Sequence, residues 1–201
     1  MYSGYVPAPN VARRRALATA AIELIARTGL HGLTHRSVDR AAGVPAGTAS
    51  NYFPSRDALL TAIAEEILAR HQDDMRQQTE RARGGRRRRG SLPEVVELIA
   101  ESLHHAATVE RHRYLAMYEL QGELRRRPEL AATLGDLMAR AGRDTIAYHR
   151  EYELPIPPSA APALQALYGG ALLALLSMPA EAVTPAAAHR LAAAMVYGVR
   201  R

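Results

Sequence analysis

Residues 33–60 read LTHRSVDRAAGVPAGTASNYFPSRDALL, which spells a short helix, a tight turn, a second short helix and the start of a third. Thr34 predicts an N-cap, because its hydroxyl can accept a bond from an amide that the first helical turn leaves unpaired. Val38 and Ala41, three apart, then share the inner face of a helix that runs to Ala42. Gly43 stands where that helix has to stop. Glycine takes the left-handed conformation after a helix without steric cost, and Pro45 holds Val44 extended. Pro45, its φ preset, opens a second helix over 46–53 of about two turns. Two short helices across a glycine-containing turn describe a helix-turn-helix, whose second helix presents its N-terminal residues to base edges in the major groove.

The candidate readers on that pattern are Pro45, Ala46, Thr48, Ala49, Ser50 and Asn51. Asn51 is the side chain able to make paired hydrogen bonds to an adenine edge, and Ala46, Ala49 or the Thr48 methyl suits a thymine methyl. Thr48, Tyr52 and Arg56 suit phosphate oxygens, which position a protein on the duplex without carrying sequence information. Gly47 lacks a Cβ, which would let the backbone approach the sugar-phosphate chain or the first helix closely. The competing reading of each residue is a solvated polar face on a small helical domain.

The segment from about Arg13 to Leu60 resembles the N-terminal DNA-binding domain of the TetR family of transcriptional regulators. The resemblance is carried by Leu17, Ala21, Leu24, Gly29, Thr34, Val38, Ala41-Ala42-Gly43-Val44, Gly47-Thr48, Tyr52-Phe53, Ser55-Arg56 and Leu59, at unbroken spacing. Two positions depart from it: Ala46 stands where a lysine is usual, and Ser50 where an aromatic is frequent. The resemblance implies an N-terminal helix-turn-helix DNA-binding domain over 1–57, with Thr34 and Arg36 among its DNA contacts. It implies a C-terminal helical effector-binding and dimerisation domain over 58–201.

The remaining composition allows little but helix. Of the 201 residues 48% are apolar, supplied mostly by alanine and leucine, with one Phe and no Trp. No alternating strand pattern flanked by turn residues appears, so the expected class is all-α. There is no cysteine, which excludes disulfides and thiolate chemistry. The opening MYSGYVPAPN has no apolar run behind a basic start, and the nearly apolar stretch 166–180 is shorter than the roughly 18 residues of a membrane span. A soluble cytoplasmic protein without a membrane partner is the expectation. No phosphate loop, dinucleotide fingerprint, paired zinc ligands or nucleophile setting is present, so neither an enzyme nor a cofactor is expected.

The formal charge is +6, and its placement matters more than its sum. Residues 1–57 hold seven arginines against three acids, and 81–90 hold six with no acid, whereas 91–201 hold eleven against twelve. A polyanion would be met at the head and at the loop GGRRRRG over 84–90, which reads foremost as an exposed solvated loop.

Along the chain, Arg13-Arg14-Arg15 open the first helix against its dipole, so a phosphate or minor-groove contact and a solvated helix start both stand. Leu17, Ala21, Leu24 and Ile25 make one apolar stripe, Gly29 and Gly32 bracket a turn, and Val38, Val44, Phe53 and Leu59 complete a core. Ser55 caps a long helix striped by Leu59, Ile63, Ile67 and Leu68 and running to about Ala82. Val95, Val96, Ile99 and Leu103 follow Pro93. His104, His105 and His112 read as ordinary polar residues, with no carboxylate or thiol to complete a metal site. A further helix spans 129 to about 153, prolines between 155 and 162 make a stiff connector, and 164–178 is apolar almost all round and must be covered. Thr184 caps a final amphipathic helix.

The TetR resemblance implies a regulator, most often a repressor, that binds a palindromic double-stranded DNA operator as a homodimer and is released by a small-molecule effector. The effector cavity is expected among residues from about 100 to 175, with Tyr114, Met117, Tyr118, Met138, Tyr148 and Tyr168 as walls. The last two helices are expected to dimerise through Leu164, Leu167, Ala171, Leu172, Leu175, Leu191 and Met195, the alternative being that they complete a monomer core. Control by a protein partner or by the protein's own level is the alternative to an inducer.

Overall fold

The computed structural model describes residues 10–84, 91–128, 131–132, 135 and 155–199, and among these it forms eight α-helices and no strand. They are α1 Val11–Thr28, α2 His35–Ala41, α3 Thr48–Tyr52, α4 Arg56–Gly84, α5 Leu92–Thr108, α6 Arg111–Leu124, α7 Ala161–Leu176 and α8 Pro185–Gly198. Most of the expected helix over 129–153 lies outside the described residues, as do Met138, Tyr148 and the arginines at 86–89. The contacts divide into two compact units, 1–67 with 115–134 and 68–114 with 135–201. The boundary expected at 57/58 falls in the first turn of α4, whose residues as far as Ile67 cluster with the first unit.

In the first unit the local rules act as read. Leu17, Ala21 and Ile25 are buried along α1, joined by Ile22. Gly29 ends the helix at φ 67°, and a single 3-10 turn, Leu30–Gly32, leads to α2. A Cβ on Gly32 would lie 2.3 Å from Thr28 Oγ1, so the turn needs glycine there for space. Phe53, Leu59, Leu60 and Ile63 fill the middle, and the Ser55 hydroxyl accepts from Ala58 N at 3.0 Å as the cap of α4. Residues of α6 from Leu115 on, and the turn after it, belong here as well. Glu119 accepts from Leu30 N at 3.4 Å, and the guanidinium of Arg127 donates to Asp57 at 2.7 Å.

In the second unit α5 is the central strut. Ser91 and Glu94 close a capping box at its start, the local signature S-x-x-E. Its buried Val95, Val96, Ile99 and Leu103 pack chiefly against α8, where Ala188, Ala192 and Val196, four apart, bring the two backbones close. The Thr184 hydroxyl caps α8 by accepting from Ala187 N at 3.2 Å. Arg111 donates to the carbonyls of Leu176 and Met178, both at 2.7 Å, which satisfies backbone acceptors at the C-terminal end of α7. Among the described residues no helix is long and apolar enough to cross a membrane.

Candidate nucleic-acid interface

α2 starts on a reciprocal cap. Ser37 N donates to Thr34 Oγ1 at 3.0 Å and Thr34 N to Ser37 Oγ at 2.8 Å, so the Thr34 hydroxyl has a structural duty besides the DNA contact expected of it. The helix ends as read, with Gly43 at φ 63°. Its inner face differs: Val38 is fully buried, but Ala41 is exposed and Asp39 is buried in its stead. The reason is a pair of backbone donors at the start of α3, since the Asp39 carboxylate accepts from Gly47 N at 2.8 Å and from Ala49 N at 2.6 Å.

α3 is shorter than expected. Pro45 does not open it; the chain instead makes a turn in which the Pro45 carbonyl accepts from Thr48 N at 3.2 Å and from the Thr48 hydroxyl at 2.6 Å. Gly47 sits at φ 89°, ψ −9°, the geometry of the third residue of a type II turn, which a right-handed helix cannot include. Nothing lies within 4 Å of a Cβ built there, so the glycine is required by its left-handed backbone rather than by close approach to α2. The helix then runs only from Thr48 to Tyr52.

The expected readers separate accordingly. Pro45, Ala46, Gly47, Ser50 and Asn51 are exposed, as are Thr34 and Arg36, while Thr48 and Tyr52 are half-buried. Ala49 is 0% exposed and belongs to the core, so it is not a thymine contact. Arg56 is also employed internally, because its guanidinium donates to Leu33 O at 2.5 Å and to Leu30 O at 2.8 Å, tying the start of α4 to the turn before α2. Arg56→Ala is expected to cost the first unit about 1–3 kcal/mol, the worth of bonds from a charged donor. The salt dependence of DNA binding should stay as in wild type. A salt slope reduced by about one would mark Arg56 as a phosphate contact after all.

Electrostatically, the arginine cluster of α1 is divided. Arg14 pairs with Glu65 at 2.9 Å and Arg15 with the buried Glu66 at 3.0 Å, both on α4, while Arg13 stays exposed. Arg40, absent from the expected set, is exposed on α2 one turn after Arg36 and so shares its face. That spacing was legible. Asp39 was not, since no local pattern connects it to amides eight and ten residues on.

Of the expected effector walls, Met138 and Tyr148 lie outside the described residues. Tyr114 and Tyr168 lie in the second unit, whereas Met117 and Tyr118 cluster with the first. Tyr168 shares a hydrogen bond of 2.8 Å with Ser102. Burial pushes the Tyr114 phenol up from its ordinary range, and the Arg113 guanidinium beside it pulls the other way without cancelling the effect. On the last two helices Leu164, Ala171, Leu172, Leu175 and Met195 are all buried within the unit, Leu191 is half-buried, and Leu167 alone of the seven is exposed. The exposed residues of α7 are Pro162, Ala163, Gln165, Ala166, Leu167, Gly170, Leu173 and Ala174. Among the described residues no three His, Asp or Glu side chains gather as a metal ion would need.

Residues 17–63 match the family model described as bacterial regulatory proteins, tetR family, and residues 90–198 match the tetracyclin repressor-like C-terminal domain. The tetracycline repressor protein class D of Escherichia coli is 42% identical over 60 residues, 30% of this chain and 28% of that protein. The HTH-type transcriptional regulator BetI of Escherichia coli O139:H28 is 38% identical over 61 residues, 30% of this chain and 31% of its own. The chain thus spans less than a third of the length of these relatives. The solved structure of the multidrug binding protein EbrR complexed with ethidium superposes over 92% of this chain and 99% of its own, with a TM-score of 0.65 and 23% identity, a likeness of fold.

Proposed function

The chain belongs to the tetR family of bacterial regulatory proteins, and from that premise we propose that it is a repressor that binds a palindromic operator as a homodimer and is released by a small effector. The observation that carries the DNA-reading part is the exposed row Pro45, Ala46, Ser50 and Asn51 on α3 and its approach, flanked by the exposed arginines Arg13, Arg36 and Arg40. Such a row enters the major groove while the arginines meet phosphates. Asn51 reads an adenine in this arrangement. Asn51→Ala should therefore relax preference at one base position by roughly 1–3 kcal/mol. An unchanged base-preference profile would remove Asn51 from the readers.

The dimer is supported by the outward face of α7, which carries no charged residue between 163 and 174 and leaves Leu167 and Leu173 nearly half exposed, at 46% and 47%. An apolar face of this kind on a helix is covered by another surface, and a second copy brings two recognition helices to a palindrome about one helical turn apart. The effector is proposed to bind the second unit beside Tyr114 and Tyr168. It must prefer the conformation in which the two recognition helices no longer match successive grooves. The EbrR complex with ethidium is a precedent on the same fold.

The test is selection of genome fragments by the purified protein at about physiological salt. A single enriched palindrome is expected, together with a two-chain mass by sedimentation. Uniform retention that vanishes as salt is added would mean only arginine–phosphate attraction and would defeat the proposal.

A further inference from the structure

A five-residue helix cannot hold its own orientation, because the first turn costs more conformational freedom than its few bonds return. α3 is five residues long, and the backbone bonds that join it to its flanks are Asn51 N to Gly47 O at 3.1 Å and Phe53 N to Ala49 O at 2.8 Å. Its N-cap residue is Gly47, which offers no side chain. The missing acceptor comes from α2. Asp39, 3% exposed, presents one carboxylate oxygen to Gly47 N and the other to Ala49 N, while Thr48 N is taken by Pro45 O.

We infer that Asp39 is the positioning residue of DNA reading, its carboxylate fixing the angle at which α3 shows Ser50 and Asn51 to base edges. The inference rests on α3 being the base-reading helix. Its chemistry is bidentate: one anion satisfies two donors on a helix that it does not belong to, at the end where the helix dipole favours negative charge. The amides of Gly47, Thr48 and Ala49 are all engaged inside the protein, so phosphates are held by side chains and not by this helix start. Asparagine has the same shape but only one accepting oxygen; its NH2 group would face an N–H, donor against donor.

The experiment uses full-length wild type, Asp39→Asn and Asp39→Ala. Each is titrated against the sequence that wild type enriches and against a scrambled duplex, and amide exchange is followed at Gly47 and Ala49. Asp39→Asn is expected to bind the enriched sequence about 10- to 100-fold more weakly, the equivalent of one or two charge-assisted bonds. Its affinity for the scrambled duplex and its salt slope should match wild type, because non-specific binding needs only charge. Asp39→Ala should lose at least as much, with faster exchange at both amides. An unchanged ratio between the two duplexes in Asp39→Asn, or an equal loss on both, overturns the inference. So does rapid exchange of Gly47 and Ala49 in wild type, which requires no variant to fold. A wild type that enriches no sequence defeats the base-reading helix itself, and is thereby told apart from failure of Asp39 alone.

Discussion

Phe53→Ala is expected to destabilise the first unit by about 3–5 kcal/mol, the usual cost of emptying a buried phenylalanine site. Phe53 is the one phenylalanine of the chain and is 1% exposed. Three helices meet at it. Its N–H closes the end of α3 on Ala49 O, its carbonyl lies 2.7 Å from His35 Nε2 on α2, and its ring has the Arg14 guanidinium of α1 5.6 Å from the centroid and the Tyr52 ring at 6.4 Å. Alanine would leave the backbone bonds possible but remove the body that holds α3 down. Residue-resolved amide exchange in α1 to α3 should accelerate by roughly 10²- to 10³-fold, at about 1.4 kcal/mol per factor of ten, with specific DNA binding lost in parallel. Phe53→Leu, which keeps most of the volume, should cost about 1 kcal/mol and retain binding. Wild-type exchange in α1 to α3 of the alanine variant would show that the three helices do not depend on this ring.

Arg113→Ala has the next largest expected effect and falls on the second unit. Arg113 is 3% exposed on α6, with Asp74 of α4 at 2.6 Å, Glu110 at 3.5 Å and the Tyr114 ring 4.8 Å from its guanidinium carbon. Removing the cation leaves two carboxylates facing one another without a counter-charge and empties the space of the aliphatic stem. Breaking a fully buried pair costs about 3–5 kcal/mol; here Asp74 and Glu110 are 31% and 27% exposed, so solvent relieves part of it and about 2–3 kcal/mol is expected. Chemical denaturation, with the midpoint and the slope both recorded, measures it. A double variant, Arg113→Ala with Asp74→Asn, should recover part of the loss, because the closer carboxylate charge then leaves with the cation and only Glu110 remains. If the double variant is no more stable than Arg113→Ala, the loss comes from packing and not from an uncompensated charge.

Much of the helical frame was legible because its causes are local. Caps act over three residues, as at Thr34, Ser55 and Thr184, and Gly43 ends α2 through its own φ. The stripe Leu17, Ala21, Ile25 follows from 3.6 residues per turn. The differences have a non-local cause. Ala49 reads as a groove residue until folding buries it beside Asp39 of α2, and Arg56 reads as a phosphate contact until its carbonyl partners appear 23 and 26 residues earlier. On α7, apolar residues on every side carry no periodicity to say which side is inward, and Leu164, Ala171, Leu172 and Leu175 are buried within the unit.

By itself, then, the sequence determined the all-helical class, most helix starts and stops, and membership of a regulator family with a helix-turn-helix at its head. Bonds between neighbours along the chain suffice for the first two, and unbroken motif spacing for the third. Only the tertiary structure decided which side of α7 faces inward, that Arg56 braces the turn before α2, and that Asp39 bonds the start of α3. Each of these depends on a partner brought close by folding, and a charged side chain takes whichever acceptor or donor the packed neighbours leave within about 3 Å.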